Sequence, residues 1–90
     1  MTLEIQKVLL ATTGHVTEEE RDILNANGYS RGEYGWLIFI NPNADPSVSE
    51  IEEPSEGLAG AMRVAKENGC RYLLLDRDAQ ELEGLPVYEW

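Results

Sequence analysis

Positive charge, cysteine and histidine are all scarce in this chain. The single cysteine, Cys70, cannot form an internal disulfide, and the single histidine, His15, belongs to no His-x-His or Glu-x-x-His motif. No apolar run approaches the roughly 18 residues of a membrane-spanning helix. The N-terminus also lacks the basic-then-apolar layout of a secretory signal. Together these absences predict a cytoplasmic protein, and no motif indicates a cofactor.

Negative charge dominates what is present. The chain has 7 Lys and Arg residues against 17 Asp and Glu residues, for a formal net charge of -10. Because nucleic acids and anionic membranes are bound through cationic patches, we expect neither as a direct partner. A basic protein has the complementary charge. The alternative is that the acidic surface only keeps the protein soluble.

Apolar patterning and turn signals predict an α/β fold with the order β-α-β-α-β-β. The 90 residues, 1–90, are enough for one compact domain. The predicted strands are Leu3–Thr12, Trp36–Ile40, Arg71–Leu75 and Leu85–Trp90. One helix begins at Thr17 and closes at Asn27-Gly28, and the other runs from near Ser55 to Asn68-Gly69.

The strands are expected to form a mixed sheet of about four members. The second and third strands are apolar on both faces, which predicts central strands covered on both sides. Helical connections favour a parallel or mixed core for the first three strands. Pro86 suits an antiparallel edge for the last one. At the first helix, Thr17 and Glu20 have the spacing of a capping box.

The segment 41–54 is expected to be a long acidic loop. From Gly32 to Met62 the sequence has six carboxylates and no Lys or Arg. Rows of carboxylates on a small fold can imitate the charge of nucleic acid and attract a basic, nucleic-acid-binding protein. The alternative is a solvated face, with some carboxylates favoured by a helix N-terminus. The predicted partner-binding residues are Asp45, Glu50, Glu52, Glu53 and Glu56.

A second polar site is predicted where strands end. His15 follows the first strand, and Asp76 and Asp78 follow the third. If these strands are parallel, the three side chains share one edge of the sheet, where α/β proteins bind ligands. They could then hold a cation or a small molecule. The alternative is that all three only stabilise turns. Cys70 is interpreted as a core residue, and no catalytic residue is assigned.

Three stretches also carry a family resemblance: ATTGHVTEEERDIL, YGWLIFI and NGCRYLLLDRDAQELEGLPVYEW. Together they resemble a family of short, uncharacterised proteobacterial proteins that are often carried on plasmids, phages and integrating elements. The resemblance implies one compact domain and no established activity. Its setting is similar to that of small acidic inhibitors of host defence, such as anti-CRISPR and antirestriction proteins.

Two functional hypotheses follow. The favoured one is a non-enzymatic inhibitor or modulator that binds a basic, nucleic-acid-handling protein through its acidic residues. The alternative is a small-molecule or metal-binding α/β domain built on His15, Asp76 and Asp78.

Overall fold

A computed structural model describes residues 5–30, 35–41, 43–45 and 47–88. Its elements are β1 (Val8–Thr12), a short 3-10 helix (Thr13–His15), α1 (Glu18–Ala26), β2 (Gly35–Phe39), α2 (Glu56–Glu67) and β3 (Tyr72–Asp76). The predicted α/β class, with two helices and a mixed sheet, is confirmed. Within these ranges neither helix has the length and apolar character needed to span a bilayer.

The sheet has the order β1-β3-β2, so β3 lies in the centre. β3 runs parallel to β1, with Leu74 opposite Leu10, and antiparallel to β2, with Leu74 opposite Leu37. The parallel pairing places Thr12 beside Asp76, at the carboxyl ends of both strands. The outer edge of β2 is partly covered, because Leu37 donates a backbone hydrogen bond to the Tyr29 carbonyl at 3.0 Å.

The predicted fourth strand is wrong for the residues that the structure describes. Leu85–Tyr88 is irregular, and the remaining residues of that prediction, 89–90, lie outside the described ranges. The backbone of this segment bonds elsewhere: the Tyr88 N–H donates to the Gly14 carbonyl at 2.7 Å. The N-terminal strand is likewise shorter than predicted and begins at Val8. Its first two predicted residues also fall outside the described ranges.

The helices cover one face of the sheet. Side chains alternate along a strand, and the buried set includes Ala11, Ile38, Leu73 and Leu75, over which α2 packs. On the opposite face, Val8, Leu10 and Phe39 are 49%, 51% and 51% exposed. The prediction that β2 and β3 are covered on both sides is confirmed only in part, because on this face Phe39 is exposed while Leu37, Tyr72 and Leu74 are partly buried. Apolar composition alone does not distinguish a covered face from one left open.

The predicted start and end of each helix are confirmed. The Thr17 hydroxyl accepts from the Glu20 N–H at 3.2 Å, and the Glu20 carboxylate accepts from the Thr17 N–H at 3.0 Å, which completes the capping box of α1. Ser55 caps α2 by accepting from the Leu58 N–H at 3.3 Å. After the helices, Gly28 and Gly69 have φ of 80° and 72°, the left-handed conformation that glycine adopts without strain.

Two glycines in α2 face different neighbours, so the same substitution should change stability by different amounts at the two positions. A Cβ on Gly57 would strike the His15 backbone carbonyl, whereas a Cβ on Gly60 would strike only the Leu85 side-chain methyls. Gly57→Ala should cost about 1–3 kcal/mol because backbone cannot yield cheaply. Gly60→Ala should be near neutral, because about 1 kcal/mol of gained helix propensity offsets a movable contact. Urea denaturation measures both, and equal losses would contradict this account.

Candidate functional site

The polar corner after β1 is occupied by the C-terminal part of the chain. His15 is fully buried, with Nδ1 2.7 Å from the Pro86 carbonyl and Nε2 2.9 Å from the Leu82 backbone nitrogen. A carbonyl can only accept and an N–H can only donate. The imidazole is therefore neutral, with its proton on Nδ1. Both ring nitrogens are engaged by backbone, so a ligand at His15 would have to displace the segment 80–88.

Further bonds attach the segment 80–88 to the same corner. The Thr12 N–H donates to the Gln80 carbonyl at 3.1 Å, and the Gly57 N–H donates to the Tyr88 hydroxyl at 3.3 Å. Gly14 leaves the space that the segment needs, since a Cβ there would lie 2.8 Å from the Val87 side chain. The segment thus joins the 3-10 helix to the first turn of α2, and His15 is its central anchor.

The other two residues of the predicted polar site form a turn. Asp76 ends β3, and its carboxylate accepts from the Asp78 N–H at 2.9 Å. This is the Asx-turn bond that aspartate commonly makes. Parallel pairing of β1 and β3 brings Asp76 to the same sheet edge as Thr12, as the sequence predicts. Among the described residues, no three His, Cys, Asp or Glu side chains cluster closely enough to hold a metal ion.

Acidic side chains from two distant segments meet in a groove between α1 and the segment 49–53. This acidic groove has a volume of about 610 Å³. It is lined by Glu19, Glu20, Ile23, Ser49, Glu50, Ile51, Glu52 and Glu53. Five of these eight residues are glutamates, and none is Lys or Arg. The two isoleucines are partly or largely buried and form an apolar floor.

Glu20 holds the two sides of the acidic groove together. It is only 5% exposed. Besides capping α1, its carboxylate accepts from the Ser55 hydroxyl and the Ser55 N–H, both at 2.7 Å. One carboxylate therefore sits at the N-termini of both helices, where the helix dipoles favour negative charge. Three hydrogen bonds to this carboxylate, one from Thr17 and two from Ser55, offset the cost of burying an acidic side chain.

Tyr29 and Glu50 connect the groove to the end of α1. The Tyr29 hydroxyl donates to the Glu50 carboxylate at 2.9 Å. Partial burial raises the pKa of Tyr29 above its ordinary value of 10.0, and the hydrogen bond and negative charge of Glu50 raise it further. Glu50 is thereby joined to Tyr29, and like Glu52 and Glu53 it is exposed at the groove.

The five predicted partner-binding residues do not form a single cluster. Glu50, Glu52 and Glu53 line the acidic groove. Glu56 lines a different cavity, of about 370 Å³, together with Arg63. Asp45 is exposed and lines neither of the two.

The sequence does not predict that α1 forms the wall of the acidic groove opposite the segment 49–53. The sequence indicates Glu20 only as part of a capping box, which is a local signal, and assigns no site role to Glu19. Their approach to the segment 49–53 depends on the Glu20–Ser55 contact, which joins residues 35 positions apart in the chain. No periodicity or spacing in the sequence marks that contact.

The fold and the groove define a small mixed α/β domain with a carboxylate-lined surface. Residues 8–90 match a family model described as the C-terminal domain of a family of unknown function, DUF5983. Because this match spans nearly all of the sequence, the chain belongs to that family. The expectation of an uncharacterised family is therefore confirmed. No curated protein and no solved structure matches the chain.

Removing the imidazole should loosen the segment 80–88. His15→Ala leaves the Leu82 N–H and the Pro86 carbonyl without partners and opens a cavity, so we expect a loss of about 2–4 kcal/mol in unfolding free energy. Amide exchange at Leu82 should also become faster. Tyr88→Phe, which removes only the bond from Gly57, should cost about 1 kcal/mol. Unchanged exchange at Leu82 in His15→Ala would refute the anchoring role.

Neutralising Glu20 should destabilise the protein, whereas neutralising its neighbour should not. Glu20→Gln replaces one acceptor oxygen with an NH₂ group that faces existing donors, which should cost about 1.5–3 kcal/mol. Glu19→Gln makes the same charge change at an exposed position and should stay within about 0.5 kcal/mol of wild type. Chemical denaturation compares the two, and similar losses would show that charge rather than hydrogen bonding is responsible.

Proposed function

We propose that this protein is a binding module that captures a basic, nucleic-acid-handling protein through the acidic groove. The observation that carries the proposal is the convergence of five glutamates from α1 and the segment 49–53, with no Lys or Arg among the lining residues. We further propose that the encounter takes place in the cytoplasm and that the bound partner is inhibited or modulated.

The exposed groove carboxylates are available to an incoming cation. Glu52 and Glu53 have no Lys or Arg of the described residues within ion-pair distance, and the ion pairs of Arg21 are made with Glu18 and Asp22. A guanidinium can donate two parallel N–H bonds to a carboxylate in a planar, bidentate arrangement. Within the part of the chain that the structure describes, no ion pair neutralises the charge of Glu52 and Glu53.

The apolar part of the groove lining suits the aliphatic stem of a basic side chain. Ile23 and Ile51 line the groove together with the carboxylates. Arginine and lysine have long aliphatic stems that pack on apolar surface while their charged ends reach polar groups. An arginine or lysine side chain thus matches both parts of the lining. This match favours a basic protein over a free metal ion as the occupant.

The overall charge supports fast association. A net charge of -10 attracts a basic partner from a distance and raises the association rate at low salt. DNA presents about one negative charge per 1.7 Å of duplex axis, so a compact acidic domain competes for the same basic surfaces. This places the proposal in the class of nucleic-acid mimics. An inhibitor of host defence, of the anti-CRISPR or antirestriction type and carried on a mobile element, is the specific form that the sequence resemblance suggests.

The acidic groove should account for binding beyond the effect of net charge. In the groove variant, Glu50, Glu52 and Glu53 are all changed to Gln. We expect its affinity for the captured partner to fall about tenfold, because three ion pairs of roughly 0.5 kcal/mol each are lost. The control changes the exposed Glu67, Glu81 and Glu83 to Gln, which alters the net charge equally and should weaken binding only slightly.

The measurement begins with a pull-down from host extract at increasing salt, followed by titration of the partner identified there. Binding should weaken as salt rises, and duplex DNA should compete with the protein for the partner. If the two triple variants lose the same affinity for the partner, net charge alone explains the binding. Capture of no basic protein at any salt would end the proposal.

A further inference from the structure

The face of the sheet opposite the helices is apolar and open, and the proposed function does not use it. This open face carries Val8, Leu10, Thr12, Gly35, Leu37, Phe39, Tyr72, Leu74 and Asp76. Its middle row, Leu10, Leu74 and Leu37, lies in direct register across the three strands. Leu10 and Phe39 are each 51% exposed and Val8 is 49% exposed, whereas Leu37, Tyr72 and Leu74 are partly buried.

When one face of a sheet is exposed to solvent, the side chains on that face are normally polar. Here six of the nine residues on the open face are large aliphatic or aromatic residues. Contiguous apolar surface of this kind marks interaction sites on soluble proteins. Phe39 and Tyr72 are already packed edge to face at 5.9 Å between ring centroids, so part of the surface is preordered.

The charges at the two ends of the open face are opposite. At one end the Arg71 guanidinium lies 5.6 Å from the centre of the Phe39 ring. At the other end Asp76 occupies the last position of β3. Asp76 is the one carboxylate among the nine face residues, so little of the protein's excess negative charge lies on this surface. A strongly basic partner would find its charge complement at the acidic groove, not here.

We propose that the open face binds a second copy of this chain in a face-to-face dimer. The two-fold axis lies between the sheets and runs across the strands, along the row Leu10, Leu74 and Leu37. This axis reverses the strand direction of the second copy. It therefore sets Arg71 of each copy towards Asp76 of the other, and each leucine of the middle row towards its own equivalent. The surface is self-complementary in charge and in the placement of its leucines, as a two-fold contact requires.

The size of the surface sets the strength of the dimer. Three strands about 4.8 Å apart and five residues of about 3.3 Å give a face of roughly 14 by 17 Å. This is smaller than the surface of about 800 Å² per partner in a standard interface. The dimer is therefore weak, and its population changes with protein concentration between about 10 μM and 1 mM.

Sedimentation across that concentration range tests the proposal. Wild type should shift from monomer towards dimer, and Leu10→Lys should raise the dimer dissociation constant about tenfold or more, because it brings two like charges together within the contact. Val87→Lys is the matched control, since Val87 is 43% exposed and lies outside the sheet. Both variants are checked for native melting behaviour. A monomer at every concentration, or equal weakening by the control, would overturn the proposal.

Cross-linking tests the orientation separately. Packed sheets lie about 10 Å apart, so a short bismaleimide is used rather than a disulfide. In a Cys70→Ser background, Leu10→Cys should cross-link to its own equivalent, whereas Val87→Cys should not. A dimer that fails to cross-link through Leu10→Cys overturns the two-fold arrangement. The chain could instead stay monomeric and show slower amide exchange at the open face only when another protein is bound. That result would overturn self-association and identify the face as the binding site of the other protein.

Discussion

The buried carboxylate of Glu20 connects the parts of this small domain that carry its surface chemistry. It caps α1 through the Thr17 N–H and receives two further hydrogen bonds from Ser55 at the start of α2. Because these bonds join residues far apart in sequence, they fix the approach of the segment 49–53 to α1. The acidic groove exists only as long as this approach holds. A charge that is costly to bury thereby positions the charges that remain exposed.

The corner after β1 illustrates how similar residues can serve architecture instead of ligand binding. Parallel pairing of β1 and β3 does create the sheet edge at which ligands often bind. The chain itself occupies that edge, since His15 bonds to the backbone of Leu82 and Pro86. Asp76 meanwhile shapes the turn that begins this same segment. The polar side chains satisfy backbone groups that would otherwise be buried without partners.

The two candidate surfaces differ in the physics of the partners that they suit. The acidic groove is lined by carboxylates and two isoleucines, so the binding of basic side chains proposed for it would depend on salt. The open face is apolar and nearly balanced in charge, so its association depends on the removal of apolar surface from water. A dimer through the open face, which lies on the side of the sheet away from the helices, would present two acidic grooves. Binding to a partner with two basic sites would then gain from effective concentration.

Local signals in the sequence determined the elements of this protein. Thr17 and Glu20 have the spacing of a capping box, the two Asn-Gly pairs end the helices, and apolar runs mark β2 and β3; all of these act over a few residues. Only the tertiary structure decided which face of the sheet is covered. It also decided that Leu85–Tyr88 packs against the corner after β1 instead of forming a strand, and that α1 forms one wall of the acidic groove. Each of these depends on contacts such as Glu20–Ser55 and His15–Leu82, between residues 35 and 67 positions apart. Such contacts leave no periodic trace in the chain, because any donor near the right place in space could have made them.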